Sequence, residues 1–336
     1  MKEREPLGDS LTTNMISDAM EQLAGTVYRT PLTTSTFLNH LVGKNVYFKM
    51  ENQQKTGAFK IRGASYKMSR LTEMEAQNGV IAASAGNHAQ GVAFASSQRG
   101  VSAKIFMPEN TPDAKIKATE YYGAKTVITG ASFQEAYEAA CLEQKRTGGY
   151  FLHPFDDYDV MAGQGTIAVE MLKQQPFLDT LIVPVGGGGL ISGVAVAAKH
   201  LQPKIRIIGV QAKGAKVVHD HFHNLPSPGS PFNGTIAEGI AVKEPGMLTM
   251  PIIRHFVDDM VTVSESDIAS AIVTMLERKK TLVEGAGAAA FAALFAHRST
   301  IRSKNCGIIV SGGNMDVSRL GSIQQLAYDG PLTCLA

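Results

Sequence analysis

The sequence has little cysteine, little net charge and no long apolar run, and each shortage excludes a class of protein. Its cysteines, Cys141, Cys306 and Cys334, are odd in number and widely spaced. This excludes a disulfide framework and a structural zinc site, and it fits a reducing cytosol. The net charge of +2 offers no basic tract for a phosphate backbone, so we expect no nucleic-acid partner. Residues 1–6 lack the apolar core of a signal peptide, and the longest apolar helix, around 286–296, is too short to span a bilayer. We therefore expect a cytoplasmic protein without a membrane partner.

Apolar residues and glycine are abundant. With 336 residues, of which 44% are hydrophobic and 33 are glycine, the chain is long enough for two domains and suits a compact α/β enzyme. Repeated βα units with short loops predict mainly parallel, doubly wound sheets that bind ligands at the carboxyl ends of their strands. A polar lead-in up to residue 20 and an irregular stretch over 213–233 are the expected exceptions. Strands are predicted over 46–50, 80–83, 103–107, 125–129, 150–153, 180–185, 205–210, 257–263 and 306–310.

The chain is organised around Lys60, on the first turn of a predicted helix. Apolar residues recur at helical spacing from Ile61 to Leu71, so one face packs inward while Lys60 shares another face with Gly63. A lysine amine attacks carbonyl groups only when it is unprotonated, and burial or a nearby cation such as Arg62 favours the neutral form. A lone lysine is more often solvated at the surface. Its neighbours must therefore decide its role.

Four consecutive glycines, Gly186, Gly187, Gly188 and Gly189, separate a predicted strand from a predicted helix. Unhindered backbone N–H groups at the start of a helix form an anion site suited to one phosphate. A tight turn would need only one or two glycines. The dinucleotide pattern Gly-x-Gly-x-x-Gly and the Walker A pattern are both absent, and the next strand ends in Gln211 where an acidic residue would hold a ribose. The loop therefore predicts a phosphate site and disfavours NAD.

Two further loops follow predicted strands. The segment 84–91 is rich in hydroxyl, amide and bare backbone donors and is a candidate carboxylate site, although a simple helix cap by Ser84 or Asn87 is the alternative. The segment 311–314 offers one hydroxyl beside two glycines, and by itself it is equally a turn.

Three histidines, His219, His221 and His223, alternate with acidic and aromatic neighbours in the irregular stretch. A metal site is an alternative there. No carboxylate or cysteine follows at the spacing of metal ligands, so we predict no metal site.

A nucleophilic lysine, a single-phosphate cradle, a carboxylate loop and a lone hydroxyl together suggest a pyridoxal phosphate enzyme that acts on an amino acid. From about residue 15 onward the sequence also resembles the fold-type II (tryptophan synthase β-like) pyridoxal phosphate enzymes, in particular the threonine/serine dehydratases. Five motifs in family order carry the resemblance: Thr56-Gly57-Ala58-Phe59-Lys60-Ile61-Arg62-Gly63, Ser84-Ala85-Gly86-Asn87-His88-Ala89-Gln90-Gly91, Gly186-Gly187-Gly188-Gly189-Leu190, Glu284-Gly285-Ala286-Gly287 and Ser311-Gly312-Gly313-Asn314.

The resemblance implies a large cofactor-binding domain, residues 1–52 plus 155–336, and a small mobile domain, residues 53–154. Lys60 would bind the cofactor covalently. Phe59 would pack on one face of the cofactor ring, and Gly239 would lie against the other face. Asn87 would hydrogen-bond the 3′ oxygen, and Ser311 would meet the pyridine nitrogen. The phosphate loop, Gly186, Gly187, Gly188, Gly189 and Leu190, would hold the phosphate through its amides. The substrate loop, Ser84, Ala85, Gly86, Asn87 and His88, would hold the substrate carboxylate.

The resemblance also implies β-elimination of L-threonine to 2-oxobutanoate and ammonia, and of L-serine to pyruvate and ammonia. Lys60 would remove the α proton. A serine at the pyridine nitrogen, unlike an aspartate, favours loss of the β-hydroxyl group over transamination. A chain that ends about twenty residues past Asn314 has no room for the regulatory domain of biosynthetic relatives, so we expect no isoleucine feedback. A homodimer or homotetramer is expected, and a nucleotide is a candidate effector.

Serine racemase on the same scaffold is the alternative enzyme. In racemase relatives a serine directly before Gly-Asn-His supplies the proton for racemisation, and this chain has Ala85 there. Those relatives also bind a metal through carboxylates where this chain has Gln211, Lys213, Lys216 and Val217. An amino-acid or nucleotide-binding protein without chemistry is a third hypothesis, and the retained Lys60 argues against it.

Overall fold

The computed structural model describes residues 10–226 and 234–328, and Cys334 lies outside that part of the chain. Its α-helices are α1 Thr13–Gln22, α2 Thr36–Val42, α3 Lys60–Arg70, α4 Glu73–Ala76, α5 Asn87–Arg99, α6 Asp113–Tyr121, α7 Phe133–Thr147, α8 Tyr158–Gln174, α9 Gly189–Leu201, α10 Val217–Phe222, α11 Thr249–Phe256, α12 Glu265–Lys279, α13 Gly285–Ala296 and α14 Leu320–Ala327. Its strands are β1 Leu32–Thr34, β2 Asn45–Met50, β3 Val80–Ala83, β4 Ala103–Met107, β5 Lys125–Ile128, β6 Tyr150–Phe151, β7 Thr180–Pro184, β8 Arg206–Ala212, β9 Asp259–Val263 and β10 Asn305–Val310. Short 3-10 helices cover Glu51–Gln53, Glu238–Ile240 and Val317–Arg319.

The strands form two sheets. One has six strands in the order β1-β2-β10-β7-β8-β9, and the other has four in the order β5-β4-β3-β6. All neighbouring strands run parallel except β1 and β2, which are antiparallel. The predicted α/β fold with mainly parallel sheets is therefore confirmed.

Local capping chemistry explains where several helices begin. The Ser264 hydroxyl accepts the Asp267 N–H in a full capping box at the start of α12, and the Ser132 hydroxyl accepts the Glu135 N–H at the start of α7. At α6 the sequence places Pro112 in the first helical position. The structure instead has Pro112 at the N-cap, one residue before the helix.

Two predictions about irregular segments are wrong. The polar lead-in contains α1, where Ile16 and Ala19 are buried on one face. The stretch over 213–233 contains α10, and its residues 227–233 lie outside the described part. In both segments an amphipathic helix is stabilised by tertiary packing, which local composition does not reveal.

Glycines bring the central helices into close contact and so position the loops above them. An added Cβ on Gly193 of α9 would lie 2.0 Å from the Met161 carbonyl oxygen of α8. An added Cβ on Gly163 of α8 would lie 2.7 Å from Gly63 of α3. The backbones of α3, α8 and α9 therefore touch, which fixes the lysine-bearing helix relative to the helix that follows the phosphate loop.

Within the described residues, the helices are all too short or too polar to cross a bilayer.

Candidate active site

The three predicted loops start at the carboxyl ends of parallel strands: the substrate loop after β3, the phosphate loop after β7, and the 311–314 loop after β10. β7 and β10 belong to the six-stranded sheet and β3 to the four-stranded sheet, yet the loops after β3 and β10 meet. The Asn314 side chain donates a hydrogen bond from Nδ2 to Asn87 Oδ1 at 2.9 Å and another to the Thr56 carbonyl oxygen at 2.8 Å. The lysine motif, the substrate loop and the 311–314 loop therefore border one site.

Lys60 is the first residue of α3, and its side chain is partly buried. Its Nζ donates to the Pro154 carbonyl oxygen at 2.8 Å and lies 5.4 Å from the centre of the Phe59 ring. Burial lowers the pKa of Lys60 to about 8, although the charge of Glu284 opposes that shift. A substantial fraction of the amine is therefore neutral slightly above neutral pH, as a nucleophile or base requires.

Arg62 does not provide the cation expected beside Lys60. Its guanidinium is fully buried and donates to both oxygens of Glu51 and of Glu170, at distances of 2.8 to 3.0 Å. Despite its burial, these two carboxylates raise the pKa of Arg62, so its charge is compensated within a buried network that also includes Lys49. Burial, and not a neighbouring cation, favours the neutral form of Lys60.

The phosphate loop ends at the N-terminus of α9, where the N-cap residue Gly188 has no side chain to cap the helix. An added Cβ on Gly187 would lie 2.3 Å from the Phe155 ring, and one on Gly188 would lie 2.7 Å from the Thr249 hydroxyl oxygen. Gly188 also has φ +104, which L side chains rarely adopt. Backbone N–H groups are thus available in a cradle that other residues could not form.

Sequence reasoning missed the segment that supports this cradle. The Asp156 carboxylate accepts the backbone N–H groups of Met247, Leu248 and Thr249 at 2.9 to 3.2 Å, where α11 begins. The Thr249 hydroxyl in turn donates to the Gly187 carbonyl oxygen at 2.7 Å. An acidic residue that directly precedes a helix in the sequence indicates where the helix begins, because it stabilises the free N–H groups there. Here it lies 91 residues from its helix, so no local pattern could reveal it.

In the substrate loop, the side chains of Ser84 and His88, like that of Asn87, are engaged within the protein. The Ser84 hydroxyl accepts the Gly86 N–H at 3.2 Å, and the buried His88 ring contacts the Leu152 carbonyl oxygen through Nε2 at 3.0 Å. Burial, aided by the charge of Lys60, lowers the pKa of His88 to about 3, so the ring is neutral. A ligand in this loop would therefore meet the backbone of His88 and not its ring. Gly86 is the N-cap of α5, so N–H groups at this helix start point toward the loop.

The 311–314 loop packs directly against the lysine motif. The Phe59 N–H donates to the carbonyl oxygen of Ser311 at 3.0 Å, and the Gly313 N–H donates to the carbonyl oxygen of Gly57 at 2.9 Å. Ser311 itself is buried. Gly57 has φ +71, and a Cβ there would lie 2.3 Å from the Asn314 side-chain oxygen, so glycine is required.

Glu284, in the fourth motif, is a site residue to which the sequence analysis assigned no role. It accepts a hydrogen bond from Asn87 Nδ2 at 2.7 Å. Burial raises the pKa of Glu284 to about 7, against the opposing hydrogen bond from Asn87. Gly239 lies between this carboxylate and the phosphate loop: its added Cβ would be 3.5 Å from Glu284 Oε1, and its carbonyl oxygen is 3.6 Å from an added Cβ on Gly186.

Gln211, His219 and His223, which the sequence analysis considered as metal positions, have other contacts here. Gln211 is buried and its side chain bonds the Val185 carbonyl oxygen and the His219 N–H. His219 contacts Asp220 at 2.9 Å, and the His223 ring contacts the Met260 carbonyl oxygen. Across residues 10–226 and 234–328, no cluster of three or more His, Cys, Asp or Glu residues could hold a metal ion. The absence of a metal requirement stays a prediction.

The arrangement fits pyridoxal phosphate by its chemistry. It combines a lysine with a lowered pKa, an uncapped helix start behind a side-chain-free loop, and an amide and a hydroxyl residue on facing loops. The helix start matches the phosphate of the cofactor, the lysine matches its aldehyde, and the amide and hydroxyl residues match the polar atoms of its ring. The fold and this site define an enzyme of the pyridoxal phosphate class.

Comparison with known proteins agrees. Residues 23–312 match the family of pyridoxal-phosphate dependent enzymes, and the chain belongs to that family. It is 48% identical over 313 residues to an L-threonine ammonia-lyase of Geobacter sulfurreducens, an alignment that covers 93% of this chain and 78% of the relative. Its structure is similar to processed threonine deaminase isoform 2 of Solanum lycopersicum, with a TM-score of 0.90, 35% identity and coverage of 98% and 91%. It is also similar to maize serine racemase, with a TM-score of 0.88, 38% identity and coverage of 95% and 98%.

Proposed function

We propose that this protein is a pyridoxal phosphate-dependent L-threonine ammonia-lyase, which converts L-threonine to 2-oxobutanoate and ammonia and L-serine to pyruvate and ammonia. The convergence of separate motif loops around Lys60, a lysine with a pKa of about 8, carries the proposal. The 48% identity to a relative named for this activity supports the substrate.

The residues proposed to hold the cofactor come from the phosphate loop, the lysine motif, the Gly239 segment, the substrate loop and the 311–314 loop. The amides of Gly186 to Leu190 would hold the phosphate, and Phe59 and Gly239 would lie against the two faces of the ring. Asn87 would contact the 3′ oxygen, and Ser311 the pyridine nitrogen. When bound, pyridoxal phosphate supplies an electron-withdrawing group that acidifies the α proton of the amino acid.

Lys60 has two tasks in this proposal. Its amine binds the cofactor at rest, and once the amino acid has displaced it, the amine takes the α proton. Burial serves both tasks because it favours the neutral amine. The N–H groups at the start of α5 would hold the substrate carboxylate, which fixes the α proton on the side of Lys60. Ser311, which is a poor base, would leave the pyridine nitrogen unprotonated and so favour loss of the β-hydroxyl group.

The similarity to maize serine racemase makes racemisation the second candidate. A racemase needs an acid on the face opposite its lysine, because a proton that Lys60 both removes and returns regenerates the same enantiomer. The resemblance implies that Ala85 takes the position of the serine that supplies this acid in racemase relatives, and a methyl group has no proton to give. This favours elimination.

We also propose that the enzyme acts in amino-acid catabolism in the cytoplasm, as a homodimer or homotetramer. The domain division at residues 52 and 154 and the mobility of the smaller domain are part of the same proposal. A nucleotide effector is tested by adding AMP or CMP to the assay below.

The test is to incubate the purified protein with pyridoxal phosphate and either L-threonine or L-serine, and to measure 2-oxobutanoate and pyruvate side by side. We expect both products, and none from Lys60→Ala. A protein that shows no cofactor absorption band after addition of pyridoxal phosphate would refute the proposal. A protein that binds the cofactor but forms neither product would refute the substrate assignment alone.

A further inference from the structure

Glu284 lies where two of the motif loops and the Gly239 segment meet. It directly precedes α13, and its N–H donates to the Gly312 carbonyl oxygen at 3.2 Å. An added Cβ on Gly312 would lie 2.4 Å from Glu284 Oε1 and 3.1 Å from Asn87 Nδ2. The carboxyl group therefore fills the space between the 311–314 loop, Gly239 and Asn87, three parts of the chain proposed to surround the cofactor ring.

The contact between Glu284 and Asn87 determines how the Asn87 amide is oriented. Asn87 Nδ2 donates to Glu284 Oε1 at 2.7 Å, and Asn87 Oδ1 accepts from Asn314 Nδ2 at 2.9 Å. Turning the amide by half a rotation would place oxygen against the carboxylate and NH₂ against NH₂, so both contacts would be lost. A hydrogen bond to a carboxylate is stronger than one between neutral groups. Asn87 thus has one N–H engaged by Glu284 and one left over for a ligand.

The charges around Glu284 keep it close to its titration point. Burial raises its pKa to about 7. The hydrogen bond from Asn87 and the positive charges of Lys115 on α6 and Lys60 on α3 oppose that rise, while Glu238 on the adjacent 3-10 helix adds to it. Glu238 itself is bridged by Lys115 at 3.0 Å and by Arg319. Glu284 can therefore change its charge in the range where the enzyme would work.

We propose that Glu284 is a positioning residue of the cofactor site, which fixes the N–H of Asn87 toward the 3′ oxygen of the cofactor and tunes that contact through its own ionisation. This inference rests on the proposed function, because only that proposal supplies the cofactor. It adds to the proposed function a positioning residue and a pH response of the cofactor site. Ionised Glu284 accepts the Asn87 N–H as a charged acceptor, whereas protonated Glu284 accepts it only as a neutral one.

The first test follows the visible absorption spectrum of the cofactor-loaded protein from pH 5 to 9. In the wild type we expect a spectral transition with a midpoint near pH 7. In Glu284→Gln, which resembles the protonated acid in shape and charge, this transition should vanish and the spectrum should match the acidic wild-type form at every pH. Glu238→Gln is the matched control, because it removes a neighbouring carboxylate that does not contact Asn87. It should keep the transition, with a midpoint shifted slightly downward.

The second test measures the dissociation constant for pyridoxal phosphate in a double-mutant cycle. We expect Glu284→Ala to weaken binding about tenfold, the usual effect of losing a hydrogen bond to a charged group. If Glu284 acts through Asn87, then Asn87→Ala should cost a similar factor and the double variant should cost little more than either single variant. If Glu284→Ala does not fold, the cycle is repeated with Glu284→Gln, with a smaller loss expected.

The outcomes separate this inference from the proposed function. A wild type that binds no pyridoxal phosphate contradicts the proposed function, and the inference falls with it. A wild type that binds the cofactor, with a Glu284→Gln variant of unchanged affinity and unchanged pH response, overturns only the role of Glu284. Fully additive losses in the cycle would also overturn it.

Discussion

The Lys60 Nζ donates a hydrogen bond to the Pro154 carbonyl oxygen, 2.8 Å away, across 94 residues of sequence. This contact ties the lysine to the segment whose next residues, Phe155 and Asp156, support the phosphate loop. The amine is thus held beside the phosphate cradle before any ligand is bound.

Replacing Lys60 by alanine should abolish turnover and leave the fold intact. The core clusters and the phosphate loop do not depend on this side chain, whereas both proposed chemical tasks do. We expect the rate of 2-oxobutanoate formation to fall by more than about a thousandfold. Circular dichroism should be unchanged. Lys117→Ala, at an exposed position of α6, is the control and should keep full activity. Retention of more than a small fraction of the wild-type rate in Lys60→Ala would contradict a covalent role.

The unliganded protein should reveal the lowered pKa of Lys60 through its stability. The folded pKa of about 8 lies below the ordinary value of 10.5, so between these pH values the unfolded chain binds more protons than the folded one. The free energy of unfolding should therefore rise with pH from about 8 to 10.5 in the wild type relative to Lys60→Met. Urea unfolding of both proteins across this range provides the measurement. Parallel curves would show that the amine is not perturbed.

The buried charge network around Arg62 should contribute strongly to stability. Glu170 contacts Lys49 at 2.5 Å and Arg62 at 2.8 Å, and both cations are fully buried. We expect Glu170→Ala to lower the free energy of unfolding by about 3–5 kcal/mol, because it leaves buried positive charge uncompensated. Glu143→Ala, which breaks the more exposed pairs of Glu143 with Arg146 and Lys104, should have a much smaller effect, because water screens surface ion pairs. Equal effects of the two substitutions in urea unfolding would refute this ranking.

A methyl group in the phosphate loop should weaken cofactor binding. The added Cβ of Gly187→Ala would lie 2.3 Å from the Phe155 ring, which must shift together with the loop. Overpacking of this kind costs about 1–3 kcal/mol, so we expect affinity for pyridoxal phosphate to fall about fivefold to a hundredfold. Gly321→Ala, where an added Cβ meets nothing within 4 Å, is the control and should bind normally. Spectroscopic titration with the cofactor tests both variants.

The identity of residue 85 should separate elimination from racemisation. With Ala85 the wild type has no acid at that position, so L-serine should yield pyruvate and at most traces of D-serine. Ala85→Ser should raise the share of D-serine and lower the rate of elimination. Chiral analysis of residual serine at partial conversion is the measurement. Substantial D-serine from the wild type would overturn the assignment as an ammonia-lyase. An unchanged ratio of D-serine to pyruvate in Ala85→Ser would refute the argument that racemisation needs an acid on the face opposite Lys60.

Local patterns predicted much of the fold. The strands 80–83 and 103–107 match the structure at both ends, because a short apolar run bounded by turn residues identifies a buried strand. The sequence Ser264-x-x-Asp267 has the spacing that caps a helix start, and the structure forms a full capping box there, at the start of α12. Local composition did not reveal α1 and α10, whose apolar residues pack against neighbouring elements.

The sequence by itself determined the alternation of strands and helices, the glycine loop at the start of α9 and the lysine at the start of α3, since each depends on residues close together in the chain. Only the tertiary structure decided the environment of those residues. It placed Glu284 on Asn87 across 197 residues, paired Arg62 with Glu170 across 108 residues, and so assigned the lowered pKa of Lys60 to burial. Burial and charge compensation depend on which distant elements pack together, and that information lies in the topology and not in any local stretch of sequence.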